Sequence, residues 1–349
     1  MIVSQRCLAC VALMLTSTAM GAEPAKQLLA LNSVAGFEAH EAHGFRIMVR
    51  KQLREGNAIL RCVKRRLGDV VRVVPATDLA FLQDVTVWVE SEKGISLPAS
   101  KIETAAAFYV PCDQEYDRLK YGLPAETKGG VVVVADRFLG RHAQRLAADS
   151  VPGWLLHEMA HAFHDRILGR DYPAVKIAYR QAMDRKLYDI VDTRIFVDLG
   201  QFQIERHPAY AHTNHWEYFA ELSGAYLNLQ TQYYPFTRSE LAEHDAGGYA
   251  LMEAVWRPVR AKVVNDFPFA VSVDRFTVTQ RRFHLCELMP GKGTEFDAFE
   301  GISLVAVNKL DGSAFRINSP DKDGRTWRLS RETTDLFIDI RTIFAKPSR

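Results

Sequence analysis

The run His157-Glu158-Met159-Ala160-His161 sets two imidazoles four residues apart, with a carboxylate directly after the first. On a helix, positions i and i+4 share a face one turn apart, so both rings can reach one metal ion. Glu158 is turned about 100° around the axis, which puts it beside such an ion rather than on it. From there a carboxylate can take a proton from metal-bound water. Trp154, Leu155, Leu156, Ala160, Ala162, Phe163 and Ile167 make this helix apolar on nearly every side, so it belongs in a core. Two histidines and a glutamate in a core helix are costly unless something satisfies them. A divalent ion does so directly; the alternative is a pair of core histidines bonded to backbone carbonyls.

A catalytic zinc usually has three protein ligands and one open position, so a third donor must come from elsewhere. Six of the eleven histidines fall between His157 and His215. His164 is seven residues beyond His157 on roughly the same face, but one helix cannot easily bend three such side chains onto one ion. It reads as a surface group or a hydrogen-bond partner near the site. The segment from Tyr210 to Glu221 offers more. Glu217 and Glu221 share a face of an otherwise apolar helix. Two buried carboxylates so placed repel each other and lose hydration unless a cation is near. One as ligand and one as hydrogen-bond partner of a ligating imidazole meets both needs; a solvated face is the alternative. His212 and His215 add nitrogen donors around the site and leave the third ligand open between Glu217 and His215.

These residues carry a resemblance. H-E-x-x-H followed downstream by a zinc-binding glutamate is the gluzincin pattern. More narrowly, Tyr210-x-x-Thr213-Asn214-x-x-Glu217-Tyr218-Phe219-Ala220-Glu221 resembles the corresponding segment of the anthrax toxin lethal factor peptidase domain. Pro152-Gly153-Trp154-Leu155-Leu156 ahead of the first segment, and Tyr234-Pro235-Phe236 with Glu240-Leu241 behind the second, are similar to secreted bacterial proteins of this lethal-factor-like group. The resemblance spans about residues 131–256 and is specific at the two zinc segments. It implies a zincin-like fold and one Zn2+ per chain, held by His157, His161 and Glu217. It implies Glu158 as general base, Tyr210 as the phenol that stabilises the oxyanion, and Glu221 as a partner behind the ligands. A secreted zinc endopeptidase acting on a peptide or protein substrate is the expectation. A non-catalytic exported binding protein with the same fold is a second reading, against which an intact Glu158 argues. A zinc hydrolase of a non-peptide amide is a third.

The elements that must position these residues follow from patterning. Residues 45–50 alternate as a strand would, Leu60, Val63 and Leu67 have helical spacing, and residues 70–74, 85–89 and 107–110 read as strands. Gly129-Gly130 introduces four valines. A strand buried on both faces is one reading of them; an exposed edge that pairs with a substrate backbone is the other. From residue 150 the character is helical. Ser150 is a cap and Pro152 sits in the first turn, and Gly169 is the C-terminal stop. Further helices are expected over 174–191 and 213–228. From residue 267 strands return, with Asp311-Gly312 and Asp323-Gly324 as hairpin turns. Asp321-Lys322-Asp323-Gly324 has its glycine two positions early for a calcium loop, which favours the turn. The expectation is an α+β chain. A zincin-like metallopeptidase domain covers 23–262, strand-rich over 44–135 and helical over 150–262, and a small β-rich extension covers 263–349.

Composition bounds the rest. In 349 residues, an apolar fraction of 48% and a charged fraction of 25% exclude a disordered or collagen-like chain. Lys+Arg 44 against Asp+Glu 42 gives a net charge of +2, without the basic surplus of a nucleic-acid binder. Arg6, an apolar stretch over residues 7–20 too short to span a bilayer, and the small residues Ala19, Gly21 and Ala22 before Glu23 read as an export signal. Cleavage after Gly21 or Ala22 removes residues 1–22 and leaves a secreted or periplasmic chain without stable membrane insertion. Cys7 and Cys10 leave with it, and Cys62, Cys112 and Cys286 allow one disulfide at most.

Overall fold

The computed structural model describes residues 34–53, 56–91, 106–112, 122–135, 153–198, 201–229, 231–257, 259–276, 282–298, 303–317, 326–330 and 335–338. The expected signal segment, the Ser150 cap and the 321–324 run lie outside them. Within them the chain is mixed α+β.

The amino-terminal half builds one sheet from β1 (Phe37–Ala42), β2 (Phe45–Arg50), β3 (Val87–Glu90), β4 (Ala107–Tyr109) and β5 (Val131–Val134), in the order β1-β2-β3-β5-β4. Strands β2, β3 and β5 run parallel, while β1 and β4 are antiparallel edges. The four valines are therefore an inner strand. Val131 and Val133 face the helical core, whereas Val132 and Val134 pack with Phe37, Met48 and Trp88 on the opposite face. The exposed-edge reading of this run is corrected: the edge beside it belongs to β4.

Between β2 and β3 lie α1 (Gly56–Val73) and α2 (Ala76–Leu82). The strand expected over 70–74 is the last turn of α1. Ile59, Val63, Leu67 and Val70 are all buried, so a 3.6-residue period runs through the valines and overrides their β preference.

The helical part contains α3 (Trp154–Phe163), α4 (Pro173–Asp184), α5 (His215–Tyr226), α6 (Arg238–His244) and α7 (Ala246–Trp256). A π turn over His164–Leu168 extends α3 and stops at Gly169, whose φ of 90° suits glycine. The helix expected over 174–191 ends at Asp184. Lys186 takes a φ of 56°, its N–H donates to Met183 O, and Leu187 N–H donates to Ala182 O. That is a Schellman stop with lysine in the position glycine usually holds. Strands β6 (Val191–Asp198) and β7 (Gln201–His207) follow as an antiparallel ribbon inside the stretch read as helical.

After α7 come β8 (Val259–Asn265), β9 (Val271–Phe276), β10 (Arg282–Leu288), β11 (Gly293–Ala298), β12 (Ser303–Asn308), β13 (Ala314–Ile317), β14 (Thr326–Leu329) and β15 (Asp335–Ile338). They form two sheets, ordered β10-β9-β12-β13-β15 and β11-β8-β14. The Asp311-Gly312 turn joins β12 to β13 as expected, with Gly312 at a φ of 76°. The second expected hairpin is corrected. Strand β13 pairs with β12 and β15, while β14 pairs parallel to β8, so the chain changes sheet between them. Strand β8 begins at Val259, so the start of the β-rich extension precedes the expected residue 263. No disulfide joins Cys62, Cys112 and Cys286. No helix among the described residues is long and apolar enough to cross a membrane.

Candidate metal centre

Helix α3 is held by burial of Leu155, Leu156, Met159, Ala160, Ala162 and Phe163, which fixes the direction of the residues between them. Helix α5 packs against it. Its start is set by Asn214, whose side-chain oxygen accepts from Trp216 N–H at 2.8 Å and Glu217 N–H at 3.0 Å. This is a strong N-cap, and it defines the turn that carries Glu217.

The two helices bring three donors together. His157 Nε2 lies 3.0 Å from Glu217 Oε2, His161 Nε2 lies 3.1 Å from the same oxygen, and the two Nε2 atoms are 3.1 Å apart. These three residues can hold a metal ion. Two facing imidazole nitrogens cannot both donate to one carboxylate oxygen and to each other, whereas lone pairs on all three suit a cation. The spacing matches the chemistry as well, since donors about 2.0–2.1 Å from a tetrahedral ion stand about 3.3 Å apart.

Behind the trio, Glu221 Oε1 lies 2.9 Å from His157 Nδ1. That contact fixes the ring and turns Nε2 toward the place an ion would occupy. Burial alone would lower the His157 pKa, but hydrogen bonds to Glu217 and Glu221 outweigh it and raise the value well above the ordinary one. Burial raises Glu217 in turn, yet the two imidazoles hold its carboxyl well below the usual range. Both shifts describe one cluster in which negative charge is concentrated around facing imidazoles, the setting a cation stabilises.

Glu158 stands beside the trio. Burial raises its pKa above the ordinary carboxylate value, and His157, His161 and a hydrogen bond from the Tyr109 backbone pull partly the other way. Tyr210 lies in a short 3-10 turn (Tyr210–His212) ahead of α5, with its ring stacked on His157 at 5.9 Å and 26°. Desolvation beside the trio and the negative carboxylates of Glu217 and Glu158 push the phenol pKa well up, so it stays protonated.

Three sequence-derived expectations are placed elsewhere. His212 points outward, with Nε2 3.4 Å from Asp189. His215 lies two residues before Glu217, about 200° around the helix axis, and its Nε2 sits 3.4 Å from the Arg170 carbonyl. Among the described residues neither joins the donor group. His164 is not a surface group: it is fully buried against Trp216 and Phe219, and neither ring nitrogen has a hydrogen-bond partner among the described residues. Burial lowers its pKa to about 3. Sequence reasoning missed Tyr109, which meets Glu158 through its backbone; no residue type signals such a contact.

Compared with known proteins, the chain matches no family model and is similar to no curated protein, so its chemistry rests on the donors themselves.

Proposed function

We propose that this protein is a zinc-dependent endopeptidase of zincin-like fold, exported by its amino-terminal segment, that hydrolyses peptide bonds in polypeptide substrates. The observation that carries the reading is the convergence of His157 Nε2, His161 Nε2 and Glu217 Oε2 within 3.1 Å, with Glu158 alongside. Two imidazoles and one carboxylate are the ligand set of many catalytic zinc sites. Bound there, zinc supplies Lewis acidity toward water and the scissile carbonyl. Glu158 accepts the proton of the attacking water and passes it to the leaving amine. Tyr210, kept protonated, donates to the oxygen that becomes negative as the carbonyl is attacked. Glu221 holds His157 in the tautomer whose Nε2 carries a lone pair. The antiparallel edge β4, whose Tyr109 amide meets Glu158, gives a polypeptide backbone a place to lie beside the general base. That edge favours a peptide over an isolated small amide.

The test is metal analysis of the purified chain from residue 23 onward, coupled to digestion of a peptide library. One zinc per chain and zinc-dependent cleavage are expected. Glu158→Ala should keep the metal and reduce turnover by roughly 10²–10⁴-fold. Equal cleavage by wild type and variant would overturn the assignment.

A further inference from the structure

Along β4, Val110 N–H donates to Gly130 O at 2.9 Å and Val134 N–H donates to Ala106 O at 2.8 Å. The peptide groups of Ala107 and Tyr109, between these partners, therefore face away from β5. The outward amide of Tyr109 is the one bonded to Glu158. The same residue is fastened a second time. Its phenol donates to Asp165 Oδ2 at 2.8 Å, and Cys112 N–H donates to that oxygen at 2.8 Å. Asp165 follows Glu158 by seven residues, two helical turns or roughly 10 Å along the axis. Tyr109 thus lies lengthwise on the helix that carries the paired histidines, with its amide at one end and its hydroxyl at the other.

The π turn that presents Asp165 also presents Arg166, which donates to the Gly129 carbonyl at 3.1 Å and the Asp84 carboxylate at 2.5 Å. So the turn grips the β4 end at Cys112 and the β5 start at Gly129. The fit is close: Gly129 has a φ of 71°, and a Cβ there would come 2.9 Å from Cys112 Sγ. Tyr109 and Asp165 are both buried. A buried carboxylate facing neutral donors is costly, and packing alone does not require it.

We propose that Tyr109 and Asp165 are positioning residues for the general base. The phenol–carboxylate bond fixes the Tyr109 peptide group against Glu158, and with it both the aim of that carboxylate and the setting of the edge strand. This rests on the zinc endopeptidase reading. Slackening the clamp displaces Glu158 and leaves the metal ligands in place, and small misplacements of a catalytic group cost rate steeply.

The experiment compares wild type with Tyr109→Phe, Asp165→Ala and Asp165→Asn, measuring zinc per chain, thermal midpoint, kcat and KM on one unstructured peptide. Tyr109→Phe removes only a hydroxyl, so it carries the test if Asp165→Ala does not fold. Both Tyr109→Phe and Asp165→Ala should keep one zinc and lose about 10–100-fold in kcat per bound zinc, with KM changed by no more than about twofold. Asp165→Asn, which keeps an oxygen acceptor, should recover most of kcat. If kcat falls only in proportion to zinc or folded protein, or if Tyr109→Phe turns over like an active wild type, the clamp has no positioning role. If wild type itself shows no zinc-dependent cleavage, the endopeptidase reading fails and the positioning role goes with it.

Discussion

Among the described residues, His157 alone of the two paired histidines is engaged through both ring nitrogens, Nε2 toward Glu217 and Nδ1 toward Glu221 at 2.9 Å. The two carboxylates, one turn apart on α5, therefore face different groups: Glu217 can share an ion with the two imidazoles, and Glu221 orients the His157 ring. Removing each has a different signature. Glu217→Ala takes away a donor and should abolish stoichiometric zinc. Glu221→Ala leaves three donors but frees the His157 ring, and should weaken zinc by roughly 10–100-fold. His215→Ala should leave zinc affinity at the wild-type value, because that ring faces the Arg170 carbonyl. Tyr210→Phe should bind zinc normally and lose about 10²–10³-fold in kcat, as loss of an oxyanion donor does. Competition against a colorimetric chelator separates the first three, and steady-state kinetics the fourth. Zinc lost with His215 but kept with Glu217 removed would reverse the assignment of the third ligand.

The elements carry the site through their ends as much as their faces. Asn214 holds two amides of the first turn of α5, and Glu217 supplies one of them. Asn214→Ala should cost about 1 kcal/mol of stability. It should also weaken zinc measurably, because the freed turn carries Glu217, the proposed third ligand; thermal unfolding and chelator competition on the same sample check both. Much of this was legible in the chain. Four-residue spacing in an apolar helix aims His157 and His161 at one point, and Glu217 and Glu221 repeat that spacing on α5. The remainder depends on features that residue types do not display. Lys186 ends α4 in a conformation glycine usually takes, so the stop carried no glycine signal. Val70 is set by burial period rather than by its β preference. The β6–β7 ribbon could have been read from Val191, Thr193 and Ile195 alternating with Asp192 and Arg194, with Gly200 as punctuation. Tyr109 acts through an amide whose direction is decided by strand register.

At the scale of the whole molecule, one continuous apolar cluster runs from Phe45 and Val63 through Leu155 and Phe219 to Val273 and Leu329. The Arg275 guanidinium of β9 lies 5.0 Å from the centre of the Phe81 ring on α2, so the carboxy-terminal strands are packed into the same body as the helices. A strain at one buried point is then paid across that shared core. His164 is such a point. It is fully buried, without a hydrogen-bond partner among the described residues, and its pKa is lowered from an ordinary 6.5 to about 3. The folded chain therefore excludes a proton that the unfolded chain binds. The associated stability is complete above pH 6.5 and is lost as pH falls from there toward 3, at a limiting slope of about 1.4 kcal/mol per pH unit. Release of a bound ion in acid would add to the loss in wild type, so the comparison must be with His164→Leu, which keeps His157, His161 and Glu217 and removes the titration. Urea midpoints measured from pH 7 to pH 4.5 should show the variant gaining steadily on wild type below pH 6.5. Two parallel curves would mean that His164 takes up its proton inside the folded protein and that the core around Trp216 and Phe219 admits charge.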